Sequence, residues 1–279
     1  MKILGVRIDE VSLKDARAKV GEFLNSRQTP PNLPLERGGA MKIFTPNPEM
    51  LVKAQKDEYF KQVLNLGDLN ICDGNGIVLV SKLSFRLPTE EEGLRTEKSL
   101  KVIHGSDFML EICKIAEQEG KSVYLLGSGS EYVVKKTFEN LKERFPKLNI
   151  VGYHSGPKII DHGKKIEVEG NQEVIDDINN KKPDILFVAF AFGKQEKWIS
   201  ENLEKMPSVK IAMGVGGSFD FVSGSIKRAP KFLRNIGLEW LWRLIRQPQR
   251  LPRILNATIR FLYLVLKNRS KKDPETSSG

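Results

Sequence analysis

Short unbroken apolar runs recur along this chain, and between them apolar positions return every three or four residues. The clearest runs, SVYLLG at 122–127 and DILFVAF at 184–190, predict strands buried on both faces. In chain order, the pattern predicts a strand over KILGVRID, a helix over 12–26 and a Pro/Gly-rich loop over 28–40. A strand in MKIFTPN, a helix from Glu49 to about Gly67, a strand over DLNICDGNG and a helix from Gly76 follow. Residues 86–100 are polar without periodicity and predict an exposed, mobile insert. Further helices are predicted over 106–119, 131–145, 171–181 and KQEKWISENLEKM. They alternate with strands KSVYLLGSGS, LNIVGYHSG, PDILFVAFAFG and VKIAMGVGGSFDFVSG, with only a charged variable stretch before residue 171. This alternation predicts an α/β fold with a parallel sheet covered by helices on both faces. Ligands of such sheets bind beyond the C-terminal strand ends, which points to the loops TPNPE, CDGNG, GSGSE, FGKQE and GVGGSFDF.

Composition narrows the class. The 279 residues make one large domain or two small ones, and 40% hydrophobic with 29% charged residues excludes both a disordered chain and an integral membrane protein. Cys72 and Cys113 cannot build a disulfide framework and there is no C-x-x-C, which fits a reducing compartment. Three histidines, His104, His154 and His162, leave little for a histidine metal site, so no metal is expected. The opening MKILGVRIDEVSL carries acids where a signal peptide needs an apolar stretch. FLYLVL at 261–266 is far short of the ~20 residues that span a bilayer. The net charge of +10 is localised: Lys227–Lys272 holds 13 Lys and Arg against one acid, Glu239, while residues 1–226 balance at 32 basic and 32 acidic side chains. The body is neutral and the C-terminal segment is built to meet something anionic.

Five loops carry candidate chemistry, each with a structural alternative. In LLGSGSE, Gly127 and Gly129 lie between a strand and a helix, where backbone N–H groups hold a phosphate; a bare tight turn has the same residues, and Tyr132 stands at the third glycine position of a dinucleotide fingerprint. In CDGNG, Asp73 can take a proton from a substrate hydroxyl or form an Asx turn or cap. Thr45 and Asn47 of TPNPE suit sugar hydroxyls and acetamido groups, and they also cap helices. Lys194 and Gln195 open a helix whose first turn is equally well solvated; in GVGGSFDF, Gly216 permits close backbone approach to a ligand and Asp220 is either functional or a buried cap. The tail mixes arginines with Trp240, Leu241, Trp242, Leu244 and Ile245, a combination suited to anionic lipid headgroups. Packing on the body or on a second subunit, as in a homo-oligomer, uses the same residues.

TPNPEM, ICDGNGI, HGSDFM, LLGSG, FGKQEKWI, GVGGSFDFVSGSIKRAP and GLEWLWRLIRQPQRLPR stand in the order and spacing of the WecG/TagA/CpsF family of bacterial glycosyltransferases, which the chain resembles over roughly residues 1–266. The resemblance implies a Rossmann-like α/β core over 1–232 and a basic C-terminal helical appendage over 233–270 that recruits the enzyme to the membrane; the low-complexity end KKDPETSSG is expected to be a disordered tail over 271–279. It implies inverting, metal-free and cofactor-free transfer of N-acetylmannosamine, or its uronic acid, from a UDP-sugar to undecaprenyl-diphosphate-linked N-acetylglucosamine. The enzyme would work on the cytoplasmic membrane face, in cell-wall, teichoic acid or exopolysaccharide synthesis. Asp73 matches the family's proposed base, Thr45 and Asn47 its sugar pocket, and Gln195 its K-Q-E glutamine. Arg243, Arg250 and Arg253 match appendage arginines that reach a diphosphate. Lys101 stands where the family has an arginine, keeping the charge but not the bidentate fork. The rival reading is a Rossmann-like nucleotide-binding regulator whose basic tail binds nucleic acid. The resemblance, and the tail's apolar content, favour lipid and no nucleic acid.

Overall fold

The computed structural model describes residues 1–26, 39–85, 100–230, 232–233 and 238–270. The predicted insert at 86–100 therefore lies outside the described residues except for Leu100, and so does the 271–279 tail. Six strands form one wholly parallel sheet: β3 (Met41–Phe44), β4 (Leu69–Asn70), β5 (Ser122–Gly127), β6 (Asn149–His154), β9 (Ile185–Ala189) and β10 (Ile211–Gly214). Their spatial order is β4-β3-β10-β9-β5-β6. Every residue of β5, β9 and β10 is buried, as apolar runs covered on both sides require.

Two apolar layers cover the sheet. On one side Val20, Leu24, Phe108, Ile112, Val134 and Leu141 come from α1 (Leu13–Asn25), α5 (Gly105–Gln118) and α6 (Glu131–Arg144). On the other, Leu51, Phe60, Ile178, Trp198 and Ile199 come from α2 (Pro48–Ala54), α3 (Glu58–Asn65), α7 (Asn171–Lys181) and α8 (Lys194–Asn202). β5 and β9 run into α6 and α8 through short loops, and the Ile103 N–H bonds Cys72 O just past β4, so α5, α6 and α8 all begin at the same sheet edge. The expected α/β, Rossmann-like sandwich is present.

Several elements differ from the sequence expectation. The first strand is a hairpin, β1 (Lys2–Ile3) with β2 (Val6–Arg7), because Leu4 and Gly5 both take positive φ in its two-residue turn. The helix expected over 49–67 is two: Asp57 accepts the backbone N–H of Phe60 and starts α3 afresh. Within the charged stretch, Lys158–Asp161 (β7) and Ile166–Glu169 (β8) pair antiparallel. The last expected strand stops at Gly214, and Ser218–Val222 is a short helix, α9, entered through Gly216 at positive φ. The strand expected through DLNICDGNG covers only Leu69–Asn70, and Asn75–Phe85 forms α4.

The C-terminal segment runs as α10 (Glu239–Arg246), a 3-10 turn at Pro248–Arg250, α11 (Leu251–Leu255), a π-helical stretch (Asn256–Arg260) and α12 (Phe261–Ser270). It folds back onto the body. Phe261 and Val265 are buried in the same layer as Leu51 and Ile77, and the Phe261 ring faces Gly76 beside Pro48. Among the described residues no helix is long and apolar enough to cross a membrane.

Candidate active site

Two adjoining cavities open at the C-terminal edge of the sheet. The larger, about 460 Å³, lies over β3, β5, β9 and β10 and is walled by the loops that follow them. The smaller, about 330 Å³, lies between the body and the C-terminal helices and includes Trp240, Ile254, Ala257 and Thr258 in its walls. Asn47, Glu49, Asp73, Ser106 and Arg253 line both.

Asp73 is placed by the loop after β4, where its own N–H donates to Pro46 O at 3.0 Å. Its carboxylate meets the start of α5: the Gly105 N–H donates to Oδ2 at 3.4 Å and His104 Nδ1 lies 3.3 Å from Oδ1. The acid therefore sits at the N-terminal end of the 14-residue helix α5. The hydrogen bond to Asp73 raises the pKa of His104, and burial opposes that rise only in part. Of the structural alternatives for Asp73, the Asx turn does not describe it but the cap does in part, since its carboxylate accepts the first N–H of α5; the side chain also faces both cavities. Cys72 next to it is inert as a nucleophile, because burial, with the Asp73 charge, pushes its thiol up to about 12.

The remaining expected residues divide. Asn47 caps α2 by accepting the Met50 N–H at 3.0 Å, and still faces both cavities; Thr45 lies beside Gly105 and Asp73 in the larger one. Gly129, Gln195, Gly216 and Asp220 all line the larger cavity. Gly127 does not: an added Cβ there would come within 2.7 Å of Ala189 O, so the glycine serves strand packing while Ser128 and Gly129 face the cavity. Lys101 is exposed and lines neither cavity, so a substrate contact from it is not formed in this arrangement. Arg253 does reach the site, making a bidentate pair with Glu49 (2.7 and 3.0 Å) and lying over the Phe192 ring. Arg243 lies in α10 and Arg250 ends the 3-10 turn that Pro248 opens, with side chains outside the described residues.

Charge at this edge is set by backbone as well as side chains. The N-termini of α5, α6 and α8 all open on the larger cavity, at Ser106, Gly129 and Lys194, while the N–H groups of Gly105, Ser128, Gly129 and Gln195 are bonded to Asp73, Ala189 O, Ser155 O and Ala191 O. The positive ends of these helices favour an anionic ligand there. Among the described residues no group of three or more His, Cys, Asp and Glu could hold a metal ion.

The solvated first turn, the structural alternative for K-Q-E, does not hold: Gln195 and Glu196 are buried, Lys194 is half-buried, and Lys197 next to them is buried too. His104, Glu49 and Glu196 were not singled out from sequence. A histidine 31 positions from its acid carries no local signal, and an acid at a helix start ordinarily reads as a cap.

A model of the glycosyl transferase WecG/TagA/CpsF family matches residues 1–275. The chain belongs to this family. Relatives named N-acetylglucosaminyldiphosphoundecaprenol N-acetyl-beta-D-mannosaminyltransferase occur in Bacillus spizizenii (33% identical, covering 84% of this chain and 82% of the relative) and Bacillus subtilis (31%; 82% and 81%). One from Staphylococcus aureus strain MW2 is 29% identical and covers 96% of this chain and 93% of the relative. As a member of the WecG/TagA/CpsF family, the protein is a glycosyltransferase.

Proposed function

We propose that the protein transfers N-acetylmannosamine from a UDP-sugar to undecaprenyl-diphosphate-linked N-acetylglucosamine, inverting the anomeric centre. The observation that carries this reading is the position of Asp73 in the wall shared by two cavities. The larger cavity, ringed by helix N-termini, suits the sugar nucleotide. The smaller, against the C-terminal helices, suits the lipid-linked acceptor. The acceptor C4 hydroxyl then attacks the anomeric carbon as its bond to UDP breaks, and Asp73 receives the hydroxyl proton. Helix N-termini and Arg253 offset the charge left on departing UDP. Gly105 N–H and His104 fix the carboxylate for that proton transfer. The relatives' names supply the sugar and the acceptor; the carboxylate, amide and backbone donors suffice without a metal.

The C-terminal segment is the membrane-facing part of this reading. Its Trp240, Leu241, Ile245, Leu251, Leu255, Ile259, Leu262, Tyr263 and Leu266 are exposed, on a stretch of strong positive charge. Basic groups near an anionic surface contribute about 1 kcal/mol each, enough together with apolar insertion for reversible docking on the inner membrane face.

The test is a panel of UDP-sugars with a short-chain lipid-diphosphate-N-acetylglucosamine acceptor, products read by mass spectrometry. Addition of one N-acetylhexosamine from UDP-N-acetylmannosamine, undiminished in excess EDTA, is expected. No transfer from any UDP-sugar sinks the donor assignment, and activity lost in EDTA but restored by Mn²⁺ sinks the metal-free mechanism.

A further inference from the structure

Two buried charges at the start of α8 have different occupations. Lys197 donates to Asp57 and Asp161, each at 2.7 Å, and to Gly163 O, and so ties α8 to α3 and the β7–β8 hairpin. Glu196 lines neither cavity but bonds a residue that does. Its Oε2 accepts the Gly193 N–H at 2.6 Å, and its Oε1 accepts Nε2 of Gln195 at 2.8 Å. Gln195 in turn accepts the Gly216 N–H on its Oε1 at 2.9 Å and lines the larger cavity. Gly214 makes room for this amide, since a Cβ there would stand 2.7 Å from Nε2.

The donor and acceptor count fixes the orientation. Gly216 N–H needs an oxygen, so Nε2 must face Glu196; Gly193 N–H needs another oxygen on the same carboxyl. Only an acceptor-only group, an ionised carboxylate, satisfies both. We propose that Glu196 is a positioning residue that locks the Gln195 amide, leaving the second N–H of Nε2 to hold the sugar nucleotide. This rests on the donor reading above.

The lock is sensitive to protons. Burial pushes Glu196 up to about 7, against the hydrogen bonds from Gln195 and Gly193 and the charge of Lys53 on α2. Lys53 is itself paired with Asp161 of the hairpin at 2.7 Å, and Lys197 on the same helix is held by Asp57 and Asp161. A protonated Glu196 has one acceptor and one donor, which leaves Gly193 N–H or Gln195 Nε2 facing an O–H. Donor affinity therefore falls as pH drops through about 7.

Calorimetric titration of the full-length protein with UDP-N-acetylmannosamine tests this. Glu196→Gln is expected to weaken binding about tenfold, the effect of one buried donor left unmatched, with kcat of the saturated enzyme changed much less. Gln195→Ala is expected to weaken binding too, and Glu196→Gln added to it to do nothing more. The wild type's loss of affinity on acidification is expected to be absent from Gln195→Ala; His104 titrates in both, so the difference isolates Glu196. Losses that multiply in the double variant, or wild-type affinity in Glu196→Gln, overturn the proposal. If Glu196→Gln gives no cooperative melt, Gly214→Ala crowds Nε2 from the other side and carries the same cycle, again with multiplied losses as the overturning result. A wild type that binds no UDP-N-acetylmannosamine overturns the donor reading and this proposal with it.

Discussion

Asp73→Asn keeps the size of the side chain and an oxygen for the Gly105 N–H but cannot take a proton. It is expected to lower kcat by about 10²–10⁴-fold with the melting temperature nearly unchanged; a folded variant with more than about a third of wild-type turnover returns Asp73 to a structural role. His104 makes a second, separate prediction. Its folded-state pKa is raised above the ordinary 6.5 by Asp73, so its contribution to stability is full below 6.5 and is lost as pH rises through the raised value. The gap in melting temperature between wild type and His104→Gln should close across that rise; a gap independent of pH would show that the pair contributes nothing through charge. Residues at this scale were unevenly legible. Asp73, Thr45 and Asn47 sit in loops, and Gln195 in the first turn of α8, that strand-and-helix alternation locates. His104 and Glu196 acquire their roles only from packing, one from a loop 31 positions away and the other from burial that an acid seldom undergoes.

At the scale of elements, apolar runs such as ILFVA announced their strands because both faces of the sheet are covered. The β7–β8 hairpin was hidden because KIID and IEVE alternate too briefly among charges, and the helix break at Asp57 looked like one more polar position. Gly127 illustrates a glycine whose role is steric. At φ +122, with a Cβ 2.7 Å from Ala189 O, Gly127→Ala combines backbone strain with a backbone clash and is expected to cost about 1–3 kcal/mol or more. Chemical denaturation with an unchanged m-value reads it; a loss under about 0.5 kcal/mol means that the strands slide apart easily. Phe261 tests the docked tail similarly. It is 1% exposed, and Phe261→Ala is expected to cost about 3–5 kcal/mol if the helix cannot collapse into the gap.

For the molecule as a whole, charge and apolar exposure gather in the C-terminal segment while the sheet is completed without it. A chain ending at 232 is expected to melt cooperatively but at a lower temperature, since Pro48 and Gly76 lose their Phe261 cover, and to lack transfer activity. It should also fail to float with anionic liposomes that carry the full chain, and flotation of the full chain should weaken with salt. Full activity of the truncated chain on a lipid-linked acceptor would remove Arg253 and the smaller cavity from the site.

Five residues belong to both cavities, so on the proposed reading donor and acceptor meet at Asp73. A single compound joining uridine diphosphate to a short prenyl-diphosphate sugar would bridge that wall. Its second half would bind at an effective concentration set by the linker, with a gain of about 10²–10⁴ over either half alone when the span matches. The shape of the site thus specifies a class of bivalent inhibitor, and the linker length giving the tightest binding would measure the distance between donor and acceptor in solution.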